Sequence, residues 1–173
     1  KGLESLGVPT DGTYIQNKIS GARFFSPSGL TFTIEKKEPV ACIIDRSIFD
    51  KFLGQQTIKA KARISLNEQA KHLESSEKEI TIQTKNKKCW PKIVIDAEGT
   101  SSRILKETGL KPINYDSLIL GIQYDLENIN VDPKYVEVHF GTMIAPGFFA
   151  WVIPLSENKA RVGLGCKNDS PKK

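Results

Sequence analysis

The fold is decided by the stretch PGFFAWVIP at Pro146–Pro154, in which a glycine turn leads into alternating large apolar residues. Side chains on a β-strand alternate between the two faces of its sheet, so Phe149, Trp151 and Ile153 share one face. Three large apolar side chains on one face predict a strand that is covered on that side.

The strand that returns carries two glycines that complete this pattern. Residues 160–164 predict its antiparallel partner, and Gly163 and Gly165 share one face with each other. A hairpin that sets Trp151 opposite Gly163 places large rings beside two positions without side chains. We expect a shallow apolar trough there, suited to a long hydrocarbon. The alternative is that the rings fill a core.

Further strand patterns surround this hairpin. The turn SPSG at 26–29 separates two alternating segments and predicts another β-hairpin. We expect a mixed α/β protein of the α+β class, with two helices and a large, mostly antiparallel sheet. Its strands are predicted at 15–25, 30–35, 40–44, 118–126, 135–140, 147–153 and 160–164.

The first helix is predicted directly after the third of these strands. Asp45 is well placed as the N-cap of a helix from Arg46, about three turns long and ending between residues 54 and 62. The apolar positions of this helix fall at helical spacing and predict one buried stripe. The stripe consists of Ile48, Phe49, Phe52 and Leu53.

The middle of the chain predicts short strands and a second helix. Strands are expected at 63–66 and 80–84, with Lys85–Lys88 as the tip of a hairpin. The run KIVID at 92–96 is continuously apolar, as buried parallel strands are. A glycine turn and a helix from residue 101 or 102 to 108 would follow it. A helix N-terminus after such a turn suits a phosphate or ribityl group.

Composition bounds the function only broadly. The 173 residues are 39% hydrophobic and 26% charged, which is typical of a globular protein. The 25 Lys and Arg exceed the 20 Asp and Glu only slightly, and no aromatic residues interleave with the basic run Lys85–Lys88. That run therefore favours a solvated hairpin tip over contact with anionic lipid, and nucleic-acid binding is not expected.

Three cysteines bear on the compartment. Cys42, Cys89 and Cys166 form no CxxC or Cys/His metal pattern, so we expect no metal and free, buried thiols. Free thiols favour a reducing, cytoplasmic location. No apolar run approaches the ~18 residues of a membrane span, and peripheral association with a membrane is left open.

One set of motifs carries a family resemblance. The spacing P-x-x-F-x-W-x-x-P from Pro146 to Pro154, followed by VGLG at 162–165, resembles the substrate-site motif of the geranylgeranyl reductases. That family usually has Tyr at the position of Phe149 and commonly Phe at that of Ile153, so this chain lacks one hydroxyl and keeps an apolar wall. The resemblance implies that a prenyl substrate is bound by Pro146, Phe149, Trp151, Ile153, Pro154, Gly163 and Gly165.

Two further segments resemble the flavin side of the same family. IIDRSIFD at 43–50 is similar to the crossover from the substrate sheet to the flavin domain. IVIDAEGTSSR at 93–103 is similar to the second flavin motif, with Glu98 where the wider hydroxylase-like superfamily usually has Asp. The resemblance implies FAD as cofactor, bound in part by Arg46, Asp96, Glu98 and Gly99.

The resemblance also implies a division into domains. Residues 13–44 and 111–166 would form the substrate-domain sheet, 45–110 a partial FAD-domain segment and 167–173 a polar tail. No Gly-x-Gly-x-x-Gly follows an N-terminal strand, and the family's Cys-Gly pair and later Gly-Asp motif are missing. We therefore expect an internal part of a longer enzyme that neither holds FAD nor acts by itself.

The function that the resemblance implies is flavin-dependent saturation of isoprenoid C=C bonds in lipid or prenyl-chain biosynthesis. The partner would be a prenyl lipid, and the residues identify neither the reductant nor a catalytic residue. Two alternatives stay open. One is the substrate domain of a related flavin monooxygenase or halogenase, and the other is a lipid-binding module without cofactor.

Overall fold

A computed structural model describes residues 2–101, 103–111 and 114–167 of the chain. The chain divides into two units. Unit 1 contains the residues up to Gln56 and those from Asp116 onward, and unit 2 is Thr57–Tyr115. The predicted tail at 167–173 lies outside the described residues except for Lys167, which ends a strand.

The described residues form two α-helices and eleven strands. The helices are α1 (Gly2–Ser5) and α2 (Arg46–Lys59). The strands are β1 (Ile15–Ile19), β2 (Gly21–Phe25), β3 (Thr31–Glu35), β4 (Ala41–Ile44), β5 (Ala70–Ser75), β6 (Ile80–Thr84), β7 (Lys88–Cys89), β8 (Ile119–Glu127), β9 (Tyr135–Phe140), β10 (Phe149–Ser156) and β11 (Lys159–Lys167).

Unit 1 is organised around a six-stranded sheet of order β3-β2-β9-β10-β11-β8. Only β2 and β9 run parallel, and every other neighbouring pair is antiparallel. The predicted register is confirmed, because Trp151 pairs with Gly163 across β10 and β11. The predicted α+β class with a mostly antiparallel sheet is also confirmed.

The predicted hairpin at 26–29 connects β2 and β3. Gly29 adopts a φ of 84°, a left-handed conformation that costs little only for glycine. Its N–H donates to the carbonyl of Ser26, and the Ser26 N–H donates to the carbonyl of Leu30. Local turn chemistry therefore sets the register of this edge hairpin.

A second layer of unit 1 is the ribbon of β1 and β4, packed with α2. Tyr14 is 1% exposed, and its ring lies 5.0 Å from that of Phe49 and 5.2 Å from that of Phe52. The pairing of β1 with β4 is irregular at Asn17. The Nδ2 atom of Asn17 donates to the carbonyls of Pro133 and Pro154. These two bonds attach the ribbon to the six-stranded sheet.

The helix predicted after Asp45 is confirmed, with 14 residues instead of about three turns. The Asp45 carboxylate accepts the N–H of Ile48 at 3.1 Å, which is the expected N-cap bond. The predicted buried stripe is only partly correct. Phe49 is buried, whereas the side chains of Ile48 and Leu53 are 42% and 37% exposed. The helix therefore packs through its two phenylalanines against Tyr14.

Unit 2 contains a three-stranded sheet of order β5-β6-β7. Residues 85–87 form the exposed turn between β6 and β7 and Lys88 begins β7, so the predicted hairpin tip is confirmed. Two predicted strands are wrong. Residues 63–66 and 92–96 are irregular, and Ile93 and Ile95 are 79% and 87% exposed. An apolar run becomes a strand only when another strand pairs with it, and none of the described strands does so here.

The helix predicted from residue 101 or 102 to 108 is also wrong. The structure has two 3-10 turns instead, at Gly99–Ser101 and Leu105–Glu107, and Ser102 lies outside the described residues. The Glu98 carboxylate accepts the backbone N–H of Ile104 at 2.8 Å and that of Leu105 at 3.4 Å. Because the Glu98 side chain accepts hydrogen bonds from these N–H groups, a loop forms here in place of the helix.

The Asp45 cap can be tested by substitution. We expect Asp45→Ala to lower the free energy of unfolding by about 1 kcal/mol, because the N–H of Ile48 loses its acceptor. Asp50→Ala is the matched control, since Asp50 makes only an exposed pair with Arg46, worth about 0.5 kcal/mol or less. Urea unfolding followed by circular dichroism measures both. Equal effects of the two variants would contradict the cap.

Candidate functional site

The glycine opposite Trp151 is already covered by the indole ring. A Cβ atom at Gly163 would lie 2.6 Å from Cζ2 of Trp151 and 2.7 Å from the carbonyl oxygen of Ile122. No side chain fits at that distance. Gly163 is therefore a close-approach glycine, which lets the indole pack against β11.

The second glycine is covered in the same way by a neighbouring ring. A Cβ atom at Gly165 would lie 2.6 Å from Cδ1 of Phe148 and 2.8 Å from Cγ2 of Ile119. The prediction of an open trough above Gly163 and Gly165 is therefore wrong. Rings occupy the space above both glycines, and their outer surfaces form the site.

We call this side of the six-stranded sheet the aromatic face. On it, the ring of Phe149 lies 6.0 Å from that of Trp151 in an edge-on arrangement and 4.2 Å from that of Phe148 in a stack. The ring of Phe140, which pairs with Phe149 on β9, lies 6.2 Å away. The prediction that Phe149 and Trp151 share one face is confirmed by these contacts.

The sequence did not identify Phe140, or Phe24 and Phe32 beyond it, as part of this face. Phe24 stacks on Phe32 at 4.7 Å, and Phe24 lies parallel to Phe140 at 6.4 Å. The sequence pattern predicts β2 and β3 as one hairpin and does not indicate which strand lies beside it. The parallel pairing of β2 with β9 then aligns the two hairpins, and no local pattern gives that pairing.

The remaining residues of the predicted prenyl site are placed differently. Ile153 shares the aromatic face and pairs with Arg161. Pro154 alternates to the opposite face, where it is fully buried, and its carbonyl accepts Nδ2 of Asn17. Pro146 precedes β10, and its carbonyl accepts the N–H of Lys167 at 2.8 Å. These two prolines have structural contacts, and their assignment to a substrate stays a prediction.

The aromatic face becomes charged beyond β11. Arg161 donates from Nε to Oδ1 of Asp125 at 2.8 Å and from Nη2 to Oδ2 at 2.9 Å. These hydrogen bonds, with the charge of Arg161, hold the pKa of Asp125 below its usual value. The next pair along is Lys159 with Glu127 at 2.5 Å. Two ion pairs therefore bound the apolar region on the β8 side.

The indole of Trp151 also carries an unpaired donor. Its Nε1 atom is buried, and within the described parts of the chain no acceptor lies within hydrogen-bonding distance. A buried unpaired N–H costs about 1–3 kcal/mol. The ring therefore keeps this position through apolar packing on Gly163 and against Phe149.

The predicted flavin residues fall into two groups. Asp96, Glu98 and Gly99 lie together in unit 2, on the wall of an open, largely apolar cavity of about 970 Å³. Arg46 belongs to unit 1, where its exposed side chain pairs with Asp50 at 3.2 Å. The sequence did not predict the apolar part of the cavity, which is lined by Leu73, Ile80, Val94, Ile104, Leu105 and Leu110.

The described residues do not by themselves form a site for a flavin dinucleotide. Glu98 is engaged with backbone N–H groups and the hydroxyl of Ser101, and Asp96 accepts the N–H of Glu98 at 2.9 Å. Gly99 has a φ of 70° and open space around it, but it begins a three-residue 3-10 turn in place of an α-helix N-terminus. Phosphate cradles depend on such helix N-termini.

The opposite face of β2 and β9 is polar and ionic. Nε2 of His139 lies 3.2 Å from Glu137, and its ring stacks on Phe25 at 4.4 Å. Among the described residues no group of His, Cys, Asp and Glu is arranged to hold a metal ion. None of the described helices is long and apolar enough to span a membrane.

Comparison with known sequences supports the motif evidence. The model of the geranylgeranyl reductase catalytic domain matches residues 117–173. A digeranylgeranylglycerophospholipid reductase from Methanocaldococcus jannaschii is 30% identical over 98% of this chain and 45% of its own length. One from Methanosarcina acetivorans is 31% identical over 91% of this chain and 41% of its own length. The chain thus spans under half the length of these relatives.

Solved structures share the architecture. A geranylgeranyl bacteriochlorophyll reductase-like protein from Thermoplasma acidophilum has a TM-score of 0.86 and 29% identity over 96% of this chain and 45% of that chain. A flavin-dependent brominase has a TM-score of 0.74 at 15% identity over 96% of this chain and 44% of that chain, which shows the fold alone. This fold is therefore shared with flavin-dependent enzymes. The sequence relatives place the chain beside the geranylgeranyl reductase family, as its motifs predicted.

The packing of Trp151 on Gly163 is open to a direct test. In a Trp90→Phe background, where Trp151 is the remaining indole, we expect Gly163→Ala to shift the Trp151 emission and to cost about 1–3 kcal/mol, as overpacking does. Gly121→Ala is the matched control. Gly121 pairs with Gly165 on β8, and its Cβ would meet only an atom 3.7 Å away. Equal behaviour of the two variants would contradict the close approach.

Proposed function

We propose that this chain forms the prenyl-binding sheet of a flavin-dependent reductase that saturates isoprenoid C=C bonds in lipid biosynthesis. The observation that carries the proposal is the aromatic face, where Phe149 and Trp151 present ring surfaces with no ionisable neighbour on β10. Relatives whose names specify digeranylgeranylglycerophospholipid as substrate support it. The site residues Phe149, Trp151, Ile153, Gly163 and Gly165 keep their roles as apolar wall and ring platform.

In this proposal the chain binds and orients the prenyl group and excludes water, while a bound flavin in the whole protein supplies the redox chemistry. Apolar surface recognises an isoprenoid through burial, at about 25 cal/mol per Å² removed from water. Phe149 lacks the hydroxyl that Tyr would offer, so the wall is apolar throughout. No described residue is assigned to proton transfer.

Two alternatives differ in what they predict. A halogenase or monooxygenase shares the fold at low sequence identity, and its substrate would be a compact ring with polar substituents. A lipid-binding module without cofactor would bind prenyl chains equally well.

Membrane contact, cytoplasmic location and the reductant stay predictions of the sequence, and contact with a membrane would bring the prenyl lipid to the aromatic face.

Prenyl binding can be measured through Trp151. In the Trp90→Phe background, we expect titration with geranylgeraniol to change the Trp151 fluorescence saturably, with a Kd of about micromolar or weaker because ordering the chain costs free energy. Phe149→Asp should abolish the change by placing a charge on the aromatic face. Tyr124→Asp is the control, since Tyr124 lies on the opposite face and is 53% exposed. A geranylgeraniol response retained in Phe149→Asp would remove the aromatic face as the site.

The cofactor prediction is separate. We expect the 173-residue chain to purify without flavin, because Glu98 and Asp96 are engaged in the loop and no described α-helix N-terminus adjoins Gly99. An absorbance spectrum with added FAD, followed by gel filtration, measures retention. Flavin retained near one per chain would contradict the assignment of Glu98 as a structural residue.

A further inference from the structure

Five aromatic rings form a continuous ladder across the aromatic face. The ladder runs from Phe32 on β3 through Phe24 on β2 and Phe140 on β9 to Phe149 and Trp151 on β10. Successive ring centroids are 4.7, 6.4, 6.2 and 6.0 Å apart. Every step lies within the range of direct aromatic contact. A ligand on Phe149 can therefore continue onto neighbouring rings.

We propose that the prenyl site extends along this ladder to Phe32, so that the sheet selects chains of about twenty carbons over shorter ones. The proposal rests on the proposed function, since it assumes that a prenyl chain binds at Phe149 and Trp151. It adds Phe140, Phe24 and Phe32 as a distal subsite that determines chain-length specificity.

The chemistry of the face favours a hydrocarbon. On β3, β2, β9 and β10, the register places only apolar residues beside the rings on this side of the sheet. These residues are Ile34, Ala22, Val136, Val138 and Ile153. The opposite side of the same strands carries Glu35, Arg23, Glu137 and His139. A ligand with charged groups would be recognised by the second face and not by the first.

The ends of the face fix the direction in which the chain runs. Arg161 with Asp125 and Lys159 with Glu127 bound the apolar region on the β8 side. On the other side, apolar side chains continue to the edge strand, where Phe32 and Ile34 are 58% and 51% exposed. A hydrocarbon that starts at Trp151 therefore gains continuous ring contact toward β3, away from these ion pairs. Exposed apolar surface of this extent marks binding sites.

The distance across the ladder lies within the reach of a twenty-carbon chain. The register sets Trp151, Phe24 and Phe32 in one row across β10, β9, β2 and β3, with Phe149 and Phe140 in the next row. Three strand spacings of about 4.8 Å therefore separate Trp151 from Phe32, a distance on the order of 15 Å. An extended prenyl chain of twenty carbons, with C–C bonds of about 1.5 Å, is on the order of 20 Å long and spans this distance. A ten-carbon chain, about 10 Å long, does not reach Phe32 from Trp151.

The test compares two chain lengths on the 173-residue protein in the Trp90→Phe background. Trp151 fluorescence reports titrations with geraniol and with geranylgeraniol. We expect Phe32→Ala to weaken the binding of geranylgeraniol about tenfold, because roughly one isoprene unit is no longer buried. The affinity for geraniol should stay within about twofold of the parent's. Phe25→Ala is the matched control, because Phe25 lies beside Phe24 on the opposite face and stacks on His139.

Each outcome supports or overturns the extension. Phe32 is exposed, so its alanine variant should keep the parent's circular dichroism, and Ile34→Ser provides a second variant at the same end. Geranylgeraniol affinity that is unchanged in both variants, or geraniol affinity that falls equally, overturns the subsite. The subsite is also overturned if the protein self-associates through the aromatic face and geranylgeraniol does not disperse the oligomer, as measured by sedimentation. If neither alcohol changes the Trp151 emission of the parent, the proposed function itself fails.

Discussion

The contact on which the sheet's architecture depends is that between the indole of Trp151 and the bare backbone of Gly163. A β-sheet normally separates neighbouring side chains by their own bulk, but a glycine removes one of them and lets a ring lie across the adjacent strand. The indole then lies edge-on to the ring of Phe149 on the aromatic face. The same device recurs one step along β11, where Phe148 covers Gly165. Two glycines thus convert a strand pair into a smooth platform of rings, and the chemistry of the face follows from that platform.

The other described elements of unit 1 hold the six-stranded sheet in place and leave its aromatic face uncovered. The ribbon of β1 and β4 is attached through Asn17, whose amide satisfies two carbonyl groups at once. The ribbon's own packing comes from Tyr14 against the phenylalanines of α2. Among the described residues, the largest fully buried side chains are those of Tyr14, Ile19 and Pro154. Rigidity therefore comes from hydrogen bonds and a small core, while the aromatic face remains available.

Local patterns predicted those parts of the structure that depend on neighbours in sequence. Alternation gave the face shared by Phe149 and Trp151, hairpin geometry gave the pairing with Gly163, and an acidic N-cap gave α2. The failures depend on pairings and side-chain contacts that local patterns do not encode. The run at 92–96 is apolar enough for a strand but lacks one to pair with among those described. A helix was expected up to residue 108 because the sequence pattern gives no sign that the Glu98 carboxylate accepts the N–H groups of residues 104 and 105. The ring ladder was missed because it needs a pairing that no turn or alternation encodes.

That pairing has a kinetic consequence. Gly21 of β2 pairs with Tyr135 of β9, a separation of 114 residues along the chain, and unit 2 lies between them in sequence. Contacts of such long range close large loops, and proteins rich in them fold slowly. During synthesis, the hairpin of β2 and β3 emerges long before β9 and must wait with its phenylalanines exposed. The edge hairpin with its exposed phenylalanines is therefore, for that interval, a surface prone to aggregation. The antiparallel hairpin of β10 and β11, by contrast, closes within a few residues and supplies the nucleus onto which the earlier strands can add.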